Sequence, residues 1–484
     1  MKRLTDQQNR AVDLFCGGGD LRVVAFAGAG KTHTLAAMAQ ETRGPALYLA
    51  FNRSIAQEAR TRFPQGTRCS TIHGIAFQAM LAEFGAEKLT GRLTTSELIE
   101  MLELRDRPVA GGDVSDRAQA WLVRATLERF LHGVDPEPRP AHVPLDGALA
   151  RAAPNDRVEL VEATVAGARW LWAQMVDHCN PVPLGHDGYL KLWAMRAPVL
   201  DADHILLDEA QDTNPVVLDL LRRQDAQLVC VGDPHQQIYG WRGAVDMMRA
   251  LPGATSIHLT RSFRFGNAIA DAANRVLASL GETRPIVANH EVTSTLGYCA
   301  PQAVIARTNA GVVDAVLDAL MIGERPHVAG GTAELSRLLV DVDRLKQGRG
   351  ADSSDLIGFS RWSDVVEASY EPGSGLRTLV ALVEDHGEER LLAALTKAGA
   401  DEAGADVVVT TAHKAKGREW DRVQLRGDFT TSGDPNDRGI EPAEARLFYV
   451  ALTRARHAVD LPDDLMVACV ADRAEDRLGT APGA

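Results

Sequence analysis

Short apolar runs recur along the chain, and most are followed by a stretch with helical spacing. Leu21-Arg22-Val23-Val24 precedes Thr34-Leu35-Ala36-Ala37-Met38-Ala39, and Pro45–Phe51 precedes a helical pattern from Ile55 to Phe63. Strand patterns return at Thr67–Ser70, His204–Leu207, Leu228–Gly232, Ala303–Ala306 and Val407–Thr411. Strands alternating with helices predict parallel α/β sheets. Residues 5 to 15 read as a helix with Thr5 as N-cap and Ala11, Val12, Leu14 and Phe15 as its apolar stripe. Between residues 81 and 197 strand signals are few. Ala118–Leu131 is amphipathic, Pro136–Pro144 is proline-rich, and Arg157–Val176 is a further helix with Asn155 or Asp156 as cap. This stretch reads as a helical insertion. Residues 341–403 carry loop markers at Gly348-Arg349-Gly350, Asp352-Ser353-Ser354 and Glu371–Gly375, and read as a smaller insertion in a second α/β unit. That unit is expected to finish with a helix from Glu441 to Arg456 and a frayed tail after about Ala471.

One strand-to-helix junction carries chemistry. Ala25-Phe26-Ala27-Gly28-Ala29-Gly30-Lys31-Thr32 has the strand, glycine loop and helix that a phosphate-binding loop requires. Glycines let backbone N–H groups close around phosphates at the positive end of the following helix. Gly28, Ala29 and Gly30 would supply that cradle, and His33 follows it in the helix. Lys31 would reach the β- and γ-phosphates, and the Thr32 hydroxyl would ligate Mg²⁺. The general pattern begins with glycine where this chain has Ala25.

Other strand ends add polar groups where a parallel sheet binds ligands. His204–Leu207 runs into Asp208-Glu209. These carboxylates read either as a helix N-terminus enriched in acids or as a pair facing phosphates. In the second reading Asp208 serves Mg²⁺ and Glu209 orients or deprotonates the attacking water. Leu228–Asp233 runs into Pro234–Ala244, where Gln236 would sense the γ-phosphate and Tyr239 and Trp241 would stack on bases. Phe51-Asn52-Arg53 at another strand end reads either as core or as a stacking and hydrogen-bonding group for a single strand. Gln7-Gln8 is either solvent-facing or suited to the donor–acceptor edge of adenine. His186–Trp193, with Tyr189, either faces a ligand or begins a helix with a core aromatic.

Composition narrows the class. The 484 residues suit about two to four domains. Apolar content of 45% and charged content of 24% are those of an ordinary globular chain. A net charge of −13 gives no global basic field, yet a local basic groove can sit on an acidic body. The six cysteines contain no Cys-x-x-Cys pair, which disfavours a zinc or iron–sulfur site and fits free thiols in a reducing compartment. The start lacks the apolar stretch of a signal peptide, and no run approaches the ~20 apolar residues of a membrane span. A cytoplasmic location, nucleoid-associated in a bacterium, is expected.

AFAGAGKT (25–32), LLDEAQDT (206–213), VGDPHQQIYGWRGA (231–244), TAHKAKGREWD (411–421) and FYVALTRAR (448–456), in this order, resemble the superfamily 1 helicases of the UvrD/Rep type. AFNRSIAQEA (50–59), HDGYLKLW (186–193), LTRSFRFG (259–266) and GREWDRVQL (417–425) are similar, more closely, to the helicase region of F-box DNA helicases. No F-box segment is read before them, so a ubiquitin-ligase role is not expected to carry over. The short second insertion and the little chain after residue 456 lead to two further expectations: reduced duplex contacts and no added nuclease module.

The resemblance implies two RecA-like P-loop domains with parallel sheets, each carrying a mostly helical insertion, with ATP and Mg²⁺ in the cleft between them. The first domain would be 1–80 with 198–258, its insertion 81–197. The second would be 259–340 with 404–470, its insertion 341–403, and 471–484 the tail. It implies Gln8 on adenine, Phe263 stacked on it, Glu419 on the ribose, and Arg264 and Arg454 as arginine fingers on the γ-phosphate. A single-strand path would run over Phe51, Asn52, His73, Tyr189, Tyr239, Trp241, Arg242, Arg307, His413 and Lys414. The expected activity is ATP-dependent 3′ to 5′ movement on single-stranded DNA by a monomer that opens duplexes at single-strand junctions, without a membrane. A translocase that strips proteins with weak unwinding, and an ATP-gated nucleic-acid clamp, are the other two readings.

Overall fold

Leu21–Ala25 (β1) alternates buried Leu21, Val23 and Ala25 with half-buried Arg22 and Val24, the period-two pattern of a strand with two unequal faces. Ala46–Leu49 (β2) is buried at every position, as a central parallel strand covered on both faces must be. A computed structural model describes residues 3–109, 112–145, 153–239, 248, 251, 253–353, 355–357, 359, 361–370, 375–399, 401–429, 441–462 and 465. The chain divides into two units. The first comprises Met1–Ala25, Gly30–Leu259 and Arg344–Trp362, and the second Phe26–Ala29, Thr260–Asp343 and Ser363–Ala484.

The remaining strands of the first unit are Thr67–Ser70 (β3), Arg107–Val109 (β4), Gly112–Val114 (β5), His204–Leu207 (β6), Gln227–Gly232 (β7) and Thr255–Leu259 (β8). Six of them form one parallel sheet in the order β3-β2-β6-β7-β1-β8. This order sets β6, β7 and β1 side by side, so the loops after them, which hold Asp208, Asp233 and Lys31, open at one edge of the sheet. The helical stretch shares the sheet's core. Leu47, Leu49, Ile205 and Cys230 belong to the same buried cluster as Phe130, Trp172, Tyr189 and Trp193.

Four local details differ from the sequence reading. The helix Pro154–Val176 is capped by Ala153, with Pro154 at its first position, rather than by Asn155 or Asp156. Proline's fixed φ and missing N–H suit that position. The insertion also holds an antiparallel hairpin, β4 with β5. The sequence reads polar residues and a turn after the strand at Thr67–Ser70, and in the structure no separate turn intervenes. Thr71 caps a helix at once, accepting a hydrogen bond from Gly74 N at 3.0 Å, and Ile72–Thr90 follows. The segment 344–362 is grouped with the first unit. There the Asp352 carboxylate receives Arg344 at 2.7 Å and also pairs with Arg117.

In the second unit Thr295–Leu296 (β9), Ala303–Ala306 (β10), Pro326–Val328 (β11), Val407–Thr411 (β12), Trp420–Leu425 (β13) and Ala455–Asp460 (β14) form a second parallel sheet, ordered β11-β12-β10-β13-β14-β9. Two parallel sheets dressed with helices match the expected α/β class. The helices Trp362–Ser369, Arg377–His386 and Glu388–Lys397 lie in the stretch read as a small insertion, and residues 371–374 of its loop marker Glu371–Gly375 lie outside the described residues. The final helix is shorter than expected. It is Pro442–Leu452, and Ala455–Asp460 is strand β14. Its backbone groups are satisfied by β13 and β9 on either side, a long-range pairing that local helical spacing does not reveal. Among the described residues, no helix is long and apolar enough to cross a membrane. The tail after Ala471 lies outside the described residues.

A buried amine ties the helical stretch of the first unit together. Lys191 Nζ donates to Gly133 O at 2.6 Å and Asp135 O at 2.7 Å, and lies 4.6 Å from the Phe130 ring centroid. Burial pushes its pKa down to about 8, against the opposing pull of Asp135. A lysine whose folded pKa is depressed binds fewer protons folded than unfolded, so its contribution to stability improves as pH rises through about 8 toward the unfolded value. The difference in unfolding free energy between wild type and Lys191→Met is therefore expected to shift in favour of wild type from about pH 8 to about pH 10. Urea titrations at the two pH values check this, and a constant difference would count against it.

Candidate nucleotide and nucleic-acid site

The loop after β1 contains two left-handed glycines, Gly28 at φ 74° and Gly30 at φ 79°, and the helix Lys31–Gln40 starts directly after the second. In the first unit Lys31 Nζ meets Glu209 Oε1 at 2.7 Å, and Thr32 Oγ1 donates to Asp208 Oδ2 at 3.1 Å. The loop lysine and threonine and the strand-end carboxylates thus share one site. Glu209 reaches it because its backbone takes a left-handed conformation, φ 51°, which is costly for a residue with a Cβ and concentrates at functional sites. Both acids therefore face the loop residues, Glu209 through Lys31 and Asp208 through Thr32.

Electrostatics bind the group together. Burial works to lower the Lys31 pKa, yet Glu209, Asp208 and Asp233 outweigh it and hold the amine above its ordinary value. Burial and then the neighbouring Glu209 charge raise Asp208, with Lys31 and the Tyr48 hydroxyl pulling the other way. Tyr48 Oη donates to Asp208 Oδ2 at 2.8 Å, and burial next to that carboxylate raises the phenol. Gln211 Nε2 donates to Glu209 Oε2 at 2.5 Å, while Gln211 Oε1 accepts from Asp233 N at 3.0 Å. Gly232 makes room for that amide, since a Cβ there would sit 2.3 Å from Gln211 Oε1. Gln236 is buried and donates to Asp233 Oδ2 at 2.7 Å, one bond from the carboxylate group. Tyr48 and Gln211 were not singled out from the sequence. A tyrosine within an otherwise apolar strand was the signal for Tyr48, and the Asp-Glu-Ala-Gln order was the signal for Gln211.

Gln8 is 1% exposed. Its Oε1 accepts from Thr5 N at 3.0 Å in a capping box, and its Nε2 donates to Thr34 Oγ1 at 3.1 Å. The amide is thus committed to capping and packing, which leaves neither the solvent-facing nor the open adenine-edge arrangement. His33 lies in the first turn of the helix Lys31–Gln40.

Within the second unit, Ala27 N donates to Tyr449 Oη at 3.2 Å and Phe263 N donates to Gly28 O at 2.8 Å. A Cβ on Gly28 would lie 2.5 Å from Ser262 Oγ and 2.8 Å from Arg264 Cβ, so glycine is required by contact as well as by φ. Arg264 Nε donates to Glu419 Oε2 at 2.6 Å and Arg264 Nη1 to Thr453 O at 2.8 Å. Burial raises the Glu419 carboxyl, but Arg264 and Arg456 hold it below its ordinary range. Arg454 is 2% exposed, with Nε on Val450 O at 2.7 Å and Nη2 on Thr453 Oγ1 at 3.1 Å. Phe263 is exposed, with the Arg261 guanidinium 5.8 Å from its ring centroid.

The residues expected along a single strand are distributed as follows. Phe51 is 46% exposed and stacks near-parallel to Tyr239, ring centroids 6.0 Å apart and planes at 18°, so it is a surface aromatic rather than core. Asn52 caps the helix Arg53–Arg62 through Ile55 N at 2.9 Å. His73 meets Asp187. Tyr189 is a correction: it is 2% exposed, packed edge-on against Phe77, and its ring is a core element instead of an open stacking surface. In the second unit Arg307 pairs bidentately with Glu444, Lys414 Nζ meets Glu334 at 2.8 Å, and His413 lies in the short helix Ala412–Ala415. Trp241 and Arg242 lie outside the described residues.

A glycine-loop lysine beside strand-end carboxylates in one parallel-sheet unit, followed by a second parallel-sheet unit, is the arrangement of a two-unit P-loop fold. Residues 194–248 match the UvrD/REP helicase N-terminal domain, and residues 406–461 match the UvrD-like helicase C-terminal domain. The chain therefore carries segments of both UvrD-like helicase domains, one in each unit. It is 30% identical over 96% of its length to F-box DNA helicase protein 1 of Schizosaccharomyces pombe, covering 58% of that protein. It is 29% identical over 96% of its length to F-box DNA helicase 1 of Gallus gallus, covering 49% of that protein. It is 25% identical to ATP-dependent DNA helicase UvrD2 of Mycobacterium tuberculosis over 94% of this chain and 77% of that one. The chain thus spans about half the length of the two F-box relatives.

Removing Lys31 would leave Asp208, Glu209 and Asp233 without their shared cation. Lys31→Ala is expected to destabilise the first unit by about 2–4 kcal/mol near neutral pH. Burial already raises the Asp208 carboxyl, and removing Lys31 takes away the cation that opposes that rise. The loss is therefore full where the carboxylates are ionised and shrinks as pH falls and they protonate. Urea unfolding of wild type and variant at about pH 8 and about pH 5 checks it, with the smaller difference expected at the lower pH.

Proposed function

We propose that this chain hydrolyses ATP to drive movement along single-stranded DNA, 3′ to 5′, and opens duplexes at single-strand junctions. The observation that carries the reading is the Lys31–Glu209 and Thr32–Asp208 pairing at the strand edge of the first unit. Both family-model matches and the relatives named DNA helicases support it.

Each group has a chemical task. Lys31 is kept cationic by its three carboxylates and can exchange Glu209 for the β- and γ-phosphates, a purely electrostatic substitution. Freed from Lys31, Glu209 is positioned by Gln211 to orient the attacking water and accept its proton. Thr32 and Asp208 present hard oxygen donors, the set that suits Mg²⁺, which when bound would offset charge on the phosphates. Gln236, bonded to Asp233, would read the γ-phosphate. Phe263 would stack on the adenine, Glu419 would meet the ribose, and Arg264 and Arg454 would stabilise charge on the transferred phosphoryl group, a role suited to planar guanidinium groups. Phe51 and Tyr239 would stack on bases, contacts that tolerate any sequence and contribute roughly 1–3 kcal/mol per base. Asn52, His73, Arg307, His413 and Lys414 would add polar contacts along the same path.

Lys31→Ala is expected to abolish DNA-stimulated ATP hydrolysis while single-strand binding persists. Normal turnover in that variant would remove the phosphate-loop assignment. On tailed duplexes with ATP, unwinding is expected from a 3′ tail. Better unwinding from a 5′ tail would reverse the polarity. Displacement of a bound protein without unwinding would indicate a stripping translocase, and stimulated hydrolysis with neither would indicate a clamp.

A further inference from the structure

One side-chain cluster in the first unit is not used by the nucleotide chemistry. Asp187, in the first turn of the helix Gly185–Met195, receives two imidazoles on its two oxygens. His73 Nε2 lies 3.3 Å from Oδ1, and His132 Nε2 lies 3.3 Å from Oδ2. His73 comes from the first turn of the helix Ile72–Thr90 and His132 is the last residue of the helix Asp116–His132, so one carboxylate gathers three helices. Tyr189 packs edge-on against His73, its hydroxyl 3.3 Å from His186 Nδ1, and closes the cluster from beneath. Asp187 and His73 remain partly open, with His132 the more buried of the rings. Burial of the carboxylate is outweighed by its two imidazole partners, which hold it strongly toward the ionised form.

We infer that Asp187 is a positioning residue for nucleic-acid contact: by accepting from Nε2 of His73 and of His132 it fixes how the His73 imidazole is presented to the strand. This rests on the single-strand reading given above, in which His73 touches the polymer. The chemistry follows from the acceptor. An ionised carboxylate has no proton to give, so each imidazole turned to it must carry its proton on Nε2. For His73 this leaves Nδ1 for a ligand, as an acceptor when the ring is neutral and as a donor toward a phosphodiester oxygen when it is cationic. The ring sits near the positive end of its own helix, which runs from Ile72 to the left-handed break at Gly85, and an anion is favoured there. Asp187 also holds the ring's rotamer before the strand arrives, so less freedom is lost on binding.

The test compares wild type, Asp187→Ala, Asp187→Asn and His73→Ala as full chains. ATP hydrolysis is titrated with an unstructured oligonucleotide, and the rate at saturation is read separately from the half-saturating concentration. Asp187→Ala is expected to raise the half-saturating concentration about tenfold, as for loss of one charge-assisted hydrogen bond, with the saturated rate little changed. Asn can serve both imidazoles if one switches tautomer, and is expected to recover most of the affinity. In the His73→Ala background, Asp187→Ala is expected to add little. An unchanged half-saturation in Asp187→Ala, or an equal loss with and without His73, overturns the inference. Imidazole nitrogen shifts of the DNA-free protein, compared between wild type and Asp187→Asn, judge the Nε2–H tautomer even if Asp187→Ala does not fold. An Nδ1–H form of His73 in wild type would likewise overturn it. Absence of any DNA stimulation in wild type would fail the functional reading instead, and the nitrogen shifts would still decide the geometry.

Discussion

A half-buried cation, Lys31, facing three carboxylates sets the terms for the first unit. Two unit charges about 4 Å apart attract by roughly 4 kcal/mol at an effective dielectric of ~20, enough to overcome the cost of burying an amine. That is why Lys31 stays charged although burial alone would depress it. The same attraction holds Glu209 in a left-handed backbone conformation, and Tyr48 and Gln211 satisfy the remaining oxygens. The strand order β6-β7-β1 is what delivers these groups to one edge. In the proposed function a nucleotide's phosphates would enter a site whose charges are already arranged, exchanging for Glu209 on Lys31.

The second unit relies on geometry of another kind. Arg264, Arg456 and Glu419 form a chain of ion pairs, and Arg454 is buried on backbone carbonyls beside them. A buried guanidinium is tolerable only when its donors are taken up. Val450, Thr453 and Arg418 take up those of Arg454. The close contacts of Gly28 with Ser262 and Arg264 show the same economy of space, because any side chain at that position would collide.

Much of this was legible from the residues. The strand–loop–helix around Lys31 is local, with every element within a dozen residues, so sequence pattern suffices. The acid pair after β6 and the buried parallel strands were legible for the same reason. Strand β14 was not, because Ala455–Asp460 becomes a strand only through partners far away in the chain. Nor was the burial of Tyr189. Its helix offers apolar residues on more than one side, and which side meets Phe77 depends on how helices pack. Gln8 looked like a group offered to a ligand, yet its own helix cap and Thr34 occupy its amide.

The sequence by itself determined the local pattern: a glycine loop before a lysine, a strand-end acid pair, two α/β units and helicase-like motifs in order. Tertiary structure decided the partnerships: that Lys31 pairs with Glu209, that Phe51 is exposed beside Tyr239, and that Asp187 gathers two histidines from separate helices. Motifs arise from short-range pattern, where backbone preference and side-chain type act together. Partnerships depend on long-range packing, which fixes distances that no spacing along the chain encodes.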